Sequence, residues 1–302
     1  MNIQIRELIA ISLGIRLIGP CTTAAAAPPA TIDDEVYLSW NVDVPYILEK
    51  IIGYVPLVMI SIPGRYKYVT FGIPIIAGFG LLNEKGLACV ANAVTMTDSG
   101  PGLPYVWINN LAMERCKTAR EAAEFAKGTP RLAFSIETPI IGQVTFYQNL
   151  NLLFADANGG IAAVEASHNY FAANYGISPN NKTGIQAQSN VHQYIDENLS
   201  GNLHYREDKR MVGSYMRLKR CWELLEKNYG SIDLEIIKSI MRDHAQEFPA
   251  DYTGDPKYGE SICNHRFDYG TICSIIIQPK EYIIWRCIGS PCANTYDLHD
   301  FN

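Results

Sequence analysis

The chain has 302 residues, of which 48% are hydrophobic and 19% are charged, and its formal net charge is −6. This length and hydrophobic content are enough to bury a large core in one large domain or two small ones. No long basic block occurs, so no nucleic-acid partner is expected. The eight cysteines are scattered and form no CxxC pair, which argues against a zinc ribbon and favours reduced, buried thiols.

The N-terminal segment contains a short apolar stretch, ELIAISLGIRLIG, at residues 7–19. It has the length of a signal-peptide core, but Glu7 at its start, Arg16 within it and Pro20 after it argue against that interpretation. Its apolar residues recur at helical spacing, so a short amphipathic helix is the better prediction. No run in the chain is long and clean enough to span a bilayer, and a cytoplasmic location is favoured over a secreted one.

Strand patterns dominate the first part of the chain. Apolar and alternating stretches predict strands within 36–44, 54–64, 67–82, 86–96 and 184–192. The sequence NEKG predicts a tight turn before the stretch that begins at Gly86. Two helical segments are predicted between residues 105 and 128, with Thr118 as the N-cap of the second. The sequence NLLFADANGGIAAVEAS (151–167) predicts a hairpin that turns at DANGG.

The second part of the chain changes period. Residues 214–245 predict two helices split at NYGS, with Ser231 capping the second. Residues 270–289 predict a strand hairpin that turns at QPKE. Strand sets therefore surround helix pairs without regular βαβ alternation, which favours an α+β fold in which sheets pack on each other with helices outside.

Polar residues at strand starts and exits are the candidates for chemistry. Asn41 and Asp43 lie two apart on one predicted strand, so they share a face and need polar partners there. They could equally satisfy turns and loop amides, and their spacing leaves both interpretations open. No GxSxG elbow, P-loop or Gly-rich dinucleotide turn is present. Neither a metal site nor a cofactor is expected, because metal-ligand spacing is lacking among His192, His204, His244 and His265.

Several motifs, taken together and in order, resemble a known family. CTT, SWNVDV and GLLNEKGLACVANAV resemble the start of the penicillin acyltransferase-like N-terminal-nucleophile (Ntn) hydrolases, which are related to the choloylglycine hydrolases. The resemblance continues through SNVH, SYMRLKR, SICNH and a closing hairpin that ends in GSP, and covers about residues 6–298. It implies a four-layer αββα sandwich of two antiparallel sheets flanked by helices. It also implies a short propeptide at 1–20 and a single Ntn-hydrolase domain at 21–302.

The resemblance assigns the nucleophile and its base. In such enzymes the chain is made as a zymogen and cleaves itself before the nucleophile, which here would be the Cys21 thiol. The freed α-amino group has a reference pKa of about 8, close enough to neutral to accept the thiol proton. Asp43 would orient and tune this amine.

The resemblance also assigns the remaining site residues. Asn190 and Asn92 would donate hydrogen bonds to the oxyanion of the tetrahedral intermediate, an effect worth roughly 3–4 kcal/mol per donor in other enzymes. Arg217 would hold the charges of Asp43 and the thiolate, and Arg220, one helical turn further on, is the alternative for that role.

The implied function is that of a cysteine amidohydrolase or acyltransferase that acts on linear amide bonds through an acyl-thioester on Cys21. Its partners would be a small-molecule amide substrate and an acyl-coenzyme A or amine acceptor. Whether the chain forms a homo-oligomer is left open. Two alternatives also remain open. One is a catalytically inactive relative that keeps the fold as a binding protein, favoured by Pro20 where the family has Gly. The other is a secreted protein in which Cys21 is not catalytic.

Overall fold

The computed structural model describes residues 21–46, 56–71, 79–94, 98–132, 134–138, 142–146, 149–195, 212–244, 261–265 and 269–302. The predicted propeptide and its helix lie outside these residues. The strands β1 to β15 span Cys21–Ala26, Tyr37–Pro45, Leu57–Ile60, Tyr68–Phe71, Phe79–Asn83, Leu87–Val94, Phe134–Thr138, Gly142–Phe146, Asn149–Asp156, Ile161–Ala166, Phe171–Asn174, Ile185–Gln188, Tyr269–Gln278, Ile283–Ile288 and Asp297–Asp300. The helices α1 to α4 span Tyr105–Arg115, Ala119–Gly128, Val212–Lys227 and Leu234–Met241.

Two large antiparallel sheets form the centre of the structure. The first has the strand order β12-β1-β2-β13-β14-β15 and the second has the order β11-β10-β9-β6-β5-β4-β3. The strands β7 and β8 pair separately as a two-stranded sheet. Adjacent strands within each sheet run antiparallel, so short hairpin turns can join many of them.

Three apolar layers separate the sheets and helices. The layer between the two sheets contains Trp40 and Leu153. A second layer, with Ile276 and Leu225, lies between the first sheet and α3 and α4. A third layer, around Met113, lies between the second sheet and α1 and α2. The order of layers is therefore helix, sheet, sheet, helix, which confirms the expected αββα sandwich. No helix in the described part of the chain is long and apolar enough to cross a membrane.

The structure confirms the three predicted strand turns, at NEKG, DANGG and QPKE. At NEKG the Asn83 side-chain oxygen accepts hydrogen bonds from the backbone N–H groups of Lys85 and Leu87, at 3.0 and 2.9 Å. Gly86 closes this turn with φ at +74°, a conformation that favours glycine. The turns at DANGG and QPKE join β9 to β10 and β13 to β14, as the sequence predicts.

The helix caps were predicted with mixed success. Thr118 caps α2 as expected, because its side chain accepts a hydrogen bond from the backbone N–H of the third residue of that helix. The prediction that Ser231 caps α4 is wrong, since Asp233 accepts that bond from Ile236 N at 2.8 Å. The cause is tertiary. Ile232 forms a β-bridge to Thr31 and Asp233 after it is still extended, so the helix begins only at Leu234.

Candidate active site

Cys21 opens β1, a strand buried along its whole length between β12 and β2. The strand sequence CTTAAA is built from small residues, which lets α3 approach one face and the second sheet approach the other. Cys21 faces the layer between the sheets, where it lies opposite Val42 of β2 and is 7% exposed. Its thiol is therefore part of the core but lies at the end of a strand.

The backbone nitrogen of Cys21 is held by a side chain. It donates a hydrogen bond to Asn190 Oδ1 at 2.7 Å, and the same oxygen accepts a bond from Arg217 Nη2 at 2.9 Å. The Asn190 Nδ2 group donates to the carbonyl of Ala93 in the second sheet, at 2.7 Å. Asn190 therefore lies between the nitrogen of the proposed nucleophile and a guanidinium group. The predicted oxyanion role of Asn190 stays a prediction, and the structure adds a positioning contact that the sequence did not indicate.

A network of serine and asparagine side chains fixes Asn190 and Arg217. Ser214 and Arg217 lie three residues apart on α3, so they share a face, and Arg217 Nη2 donates to Ser214 Oγ at 3.1 Å. Ser189 Oγ donates to the carbonyl of Ser214 at 2.7 Å, which joins the loop to the helix. Asn151 Nδ2 donates to the carbonyls on both sides of Asn190, at 2.9 and 2.7 Å. The Ser-x-x-Arg motif thus has a structural explanation.

The two candidate arginines have different partners. Arg220 Nε and Nη2 each lie 2.9 Å from a carboxylate oxygen of Asp243, in a two-point ion pair that is partly exposed. Arg217 is 1% exposed and reaches Asn190 beside Cys21. Of the two, Arg217 is therefore the arginine that the structure brings to Cys21.

Asp43 is fully buried and receives hydrogen bonds from two residues that the sequence did not single out. Thr271 Oγ1 donates to Asp43 Oδ1 at 2.6 Å, and Asn264 Nδ2 donates to Asp43 Oδ2 at 3.3 Å. The backbone N–H of Asn264 also donates to Thr271 Oγ1 at 2.8 Å, so the three side chains form one network. Thr271 lies directly opposite Asp43 in the pairing of β13 with β2, which places the two side chains next to each other on one face of the sheet.

The surroundings of the Cys21 thiol keep it protonated. Burial and, to a smaller extent, the negative charge of Asp43 raise its pKa to about 12. The backbone N–H of Asp43, the indole of Trp40 and the charge of Arg217 act in the opposite direction and lower the pKa. Tyr105, the first residue of α1, is near enough that a charged Cys21 adds to the effect of burial in raising the pKa of this tyrosine. At neutral pH the thiol therefore needs a base before it can attack a carbonyl.

Asn92 and Asn41 donate hydrogen bonds to different parts of the structure. Asn92 Nδ2 donates to Thr23 Oγ1 at 2.8 Å, which links β6 of the second sheet to β1 two residues beyond Cys21. Its Oδ1 is buried with no hydrogen-bond partner among the described residues, and its predicted oxyanion role stays a prediction. Asn41 Nδ2 donates to the carbonyls of Met241 and Ile262, both at 2.8 Å, and so fastens α4 and the segment 261–265 to β2.

A cavity of about 740 Å³ lies beside the site, between α3 and the loop 191–195. His192 and Tyr215 line it, whereas Cys21 does not. Burial lowers the pKa of His192 to about 4, so its ring is neutral at pH 7. The cavity is lined by the residues that directly follow Asn190 in the chain, but the Cys21 thiol is not part of its wall.

The αββα sandwich of two antiparallel sheets flanked by helices is the architecture of the Ntn-hydrolase fold. Residues 54–293 match the family model of acyl-coenzyme A:6-aminopenicillanic acid acyltransferase. The match covers most of the chain, and the chain therefore belongs to this family. The family resemblance inferred from the motifs is thus confirmed. No curated protein matches the chain in sequence.

Solved structures agree on the fold. Two variants of the conjugated bile acid hydrolase from Clostridium perfringens are 12% and 13% identical to this chain, each with a TM-score of 0.55 over 93% of this chain and 97% of theirs. Penicillin V acylase from Agrobacterium tumefaciens is 15% identical, with a TM-score of 0.50 over 93% of this chain and 86% of its own. At such low identity these similarities establish the fold alone.

Proposed function

We propose that this protein is a cysteine Ntn amidohydrolase or acyltransferase, which cleaves linear amides through an acyl-thioester on Cys21. The observation that carries the proposal is the contact of 2.7 Å between the Cys21 nitrogen and Asn190 Oδ1. A buried side chain, itself bonded to Arg217, thus holds the one nitrogen that would serve as base. Membership in the acyltransferase family supports the same chemistry.

The first step of the proposal is maturation. The Cys21 sulfur attacks the carbonyl of Pro20, the peptide nitrogen leaves with a proton, and a thioester joins Pro20 to the sulfur. Water then hydrolyses the thioester, which releases residues 1–20 with a new carboxylate and leaves Cys21 with a free α-amine. This amine has a reference pKa of about 8, so about a tenth of it is in the neutral, proton-accepting form at pH 7.

The second step is catalysis by the mature protein. The α-amine takes the thiol proton, the sulfur attacks the substrate carbonyl, and the ammonium then returns the proton to the leaving amine. An acyl-thioester on Cys21 remains, and water or an acceptor amine removes the acyl group. The high thiol pKa supports proton transfer to the amine before the attack, because a buried and protonated thiol needs a base within reach.

Nearby charged side chains would assist the transfer of the proton from the Cys21 thiol to its α-amine. The positive charge of Arg217 disfavours the ammonium form of the Cys21 amine and favours the thiolate, so it lowers the pKa of both groups. Asp43, held by Thr271 and Asn264, would orient the amine. Asn92 and the remaining N–H of Asn190 would donate to the oxyanion.

The names of the relatives suggest the first compounds to test. The family model names acyl-coenzyme A and 6-aminopenicillanic acid, and the structural neighbours are named for conjugated bile acid and penicillin V. We propose a screen of these compounds and of N-acyl amino acids as substrates, with 6-aminopenicillanic acid as an acceptor. Released amine and transferred acyl group distinguish hydrolysis from transfer.

The variant Cys21→Ala tests the nucleophile, and Cys273→Ala is its matched control. Cys273 is also buried between the sheets and lies opposite Val42 from the other side, so both variants remove one thiol from the same layer. We expect Cys21→Ala to lose activity by about 10³-fold or more, because covalent catalysis is lost, whereas Cys273→Ala retains it. Undiminished activity of Cys21→Ala would contradict the proposal.

A further inference from the structure

Two cysteines and two histidines from three separate segments meet at one point away from Cys21. His244 follows α4, Cys263 and His265 lie in the segment 261–265, and Cys292 lies in the turn after β14. One ligand atom from each of the four residues lies within 4.8 Å of those from the other three. We propose that this cluster binds a zinc ion with a structural role, a site that the sequence spacing did not indicate.

The distances suit tetrahedral coordination. His265 Nε2 lies 3.5 Å from Cys263 Sγ and 3.2 Å from Cys292 Sγ, and the rings of His244 and His265 are 5.1 Å apart between centroids. With Zn–S near 2.3 Å and Zn–N near 2.0–2.1 Å, tetrahedral geometry places sulfur and nitrogen about 3.6 Å apart. The four side chains therefore need only small movements to surround one ion.

The donor set selects the ion and its role. Two thiolates and two imidazoles are the soft and borderline ligands that suit zinc, whereas magnesium and calcium prefer oxygen. Four protein ligands fill a tetrahedral shell, so the site is of the closed, structural type rather than the catalytic type with an open position. The rival explanation is a disulfide between Cys263 and Cys292, which would leave the two histidines without a function.

The zinc ion would connect the cluster to the Asp43 network. Asn264 stands between two ligands, Cys263 and His265, and its side chain and backbone N–H bond to Asp43 and Thr271. Because metal binding on both sides would fix the backbone of Asn264, it would also fix the donors of the buried carboxylate. The backbone N–H of Cys263 further donates to the carbonyl of Asp243 at 3.1 Å, next to the ligand His244.

The test measures metal directly, with variants at the two exposed ligands. We expect about one zinc ion per chain in the purified protein, as for other closed sites with four protein ligands. The variants Cys292→Ser and His244→Gln should each bind zinc at least about 100-fold more weakly, because they remove a ligand rather than an outer partner. His299→Gln is the matched control and should retain the ion, since His299 lies on β15 outside the cluster.

Cobalt substitution supplies a second measurement that does not depend on activity. Co²⁺ added to the zinc-free protein should give intense visible bands of tetrahedral cobalt and a thiolate charge-transfer band, and Cys292→Ser should weaken the latter. Absence of both bands in the unaltered chain would overturn the proposal. A disulfide between Cys263 and Cys292 in the protein purified without reductant, or an unchanged zinc content in both ligand variants, would overturn it as well.

Discussion

Replacement of Arg217 by methionine tests the electrostatic part of the proposal. Arg217 and the Cys21 nitrogen both bond to Asn190 Oδ1, at 2.9 and 2.7 Å. The guanidinium nitrogen is therefore at most about 5.6 Å from the Cys21 nitrogen, where a unit charge contributes about 3 kcal/mol at an effective dielectric constant of about 20. That energy corresponds to about two pKa units.

The expected result is a shift of the pH profile. The charge lowers the pKa of both the thiol and the freed amine, so Arg217→Met should move the pH midpoint of Cys21 reactivity upward, by up to about two units. The assay is alkylation of the mature protein by iodoacetamide across a pH series, with the modified Cys21 peptide quantified by mass spectrometry. It requires no knowledge of the substrate.

Two further variants make the result interpretable. Lys219→Met removes a positive charge from the same helix at a side chain that is 51% exposed, and it should shift the midpoint by no more than a few tenths of a unit. Arg217→Lys keeps the charge and should shift the midpoint less than Arg217→Met does. If Arg217→Met is folded by circular dichroism and its midpoint moves by less than about half a unit, the assigned role of Arg217 is refuted.

Two other predictions concern buried carboxylates. Thr271→Val removes the donor at 2.6 Å from Asp43 and should lower kcat by roughly 10- to 100-fold, whereas Thr271→Ser should restore most of it; equal rates for both variants would contradict this. Burial raises the pKa of Glu165 to about 7, although three backbone N–H groups oppose the shift. The folded state then holds this proton up to higher pH than the unfolded state, so the free energy of unfolding should fall by about 3 kcal/mol as the pH rises from about 4.5 to 7. Urea titrations across that range should show a smaller fall in Glu165→Gln, and an identical pH dependence would count against the assignment.

Elements with local signals were predictable from the sequence. The turns at NEKG, DANGG and QPKE carry their own hydrogen-bonding and glycine chemistry, and the strands beside them show clear apolar runs. Ser231 shows where local reasoning fails, because a bridge between Ile232 and Thr31 moves the start of α4 to a cap at Asp233. The bridge depends on a partner about 200 residues away, which no local pattern reveals.

The candidate site was predictable in outline but not in its contacts. The motifs identified Cys21, Asp43 and Asn190, but no spacing rule could distinguish Arg217 from Arg220 on the same helix. Their tertiary partners distinguish them. In the same way the donors of Asp43 come from the opposite residue of β13 and from the segment 261–265, and the only signal in the sequence was that a buried carboxylate needs partners.

The histidine and cysteine cluster shows the same limit. Its four members come from three separate segments of the chain, so the absence of metal-ligand spacing among the histidines did not reveal whether they meet. Folding of α4, the segment 261–265 and the turn after β14 against the first sheet brings their ligand atoms together.

The mass of the purified protein tests the central claim most directly. If Cys21 acts with its own amine as base, the mature chain must begin at Cys21. Intact-mass and N-terminal peptide measurements should then find a chain of residues 21–302, while the variant Cys21→Ala should keep residues 1–20 attached. An unaltered chain that keeps the Pro20–Cys21 bond and is nevertheless active on amides would contradict the account.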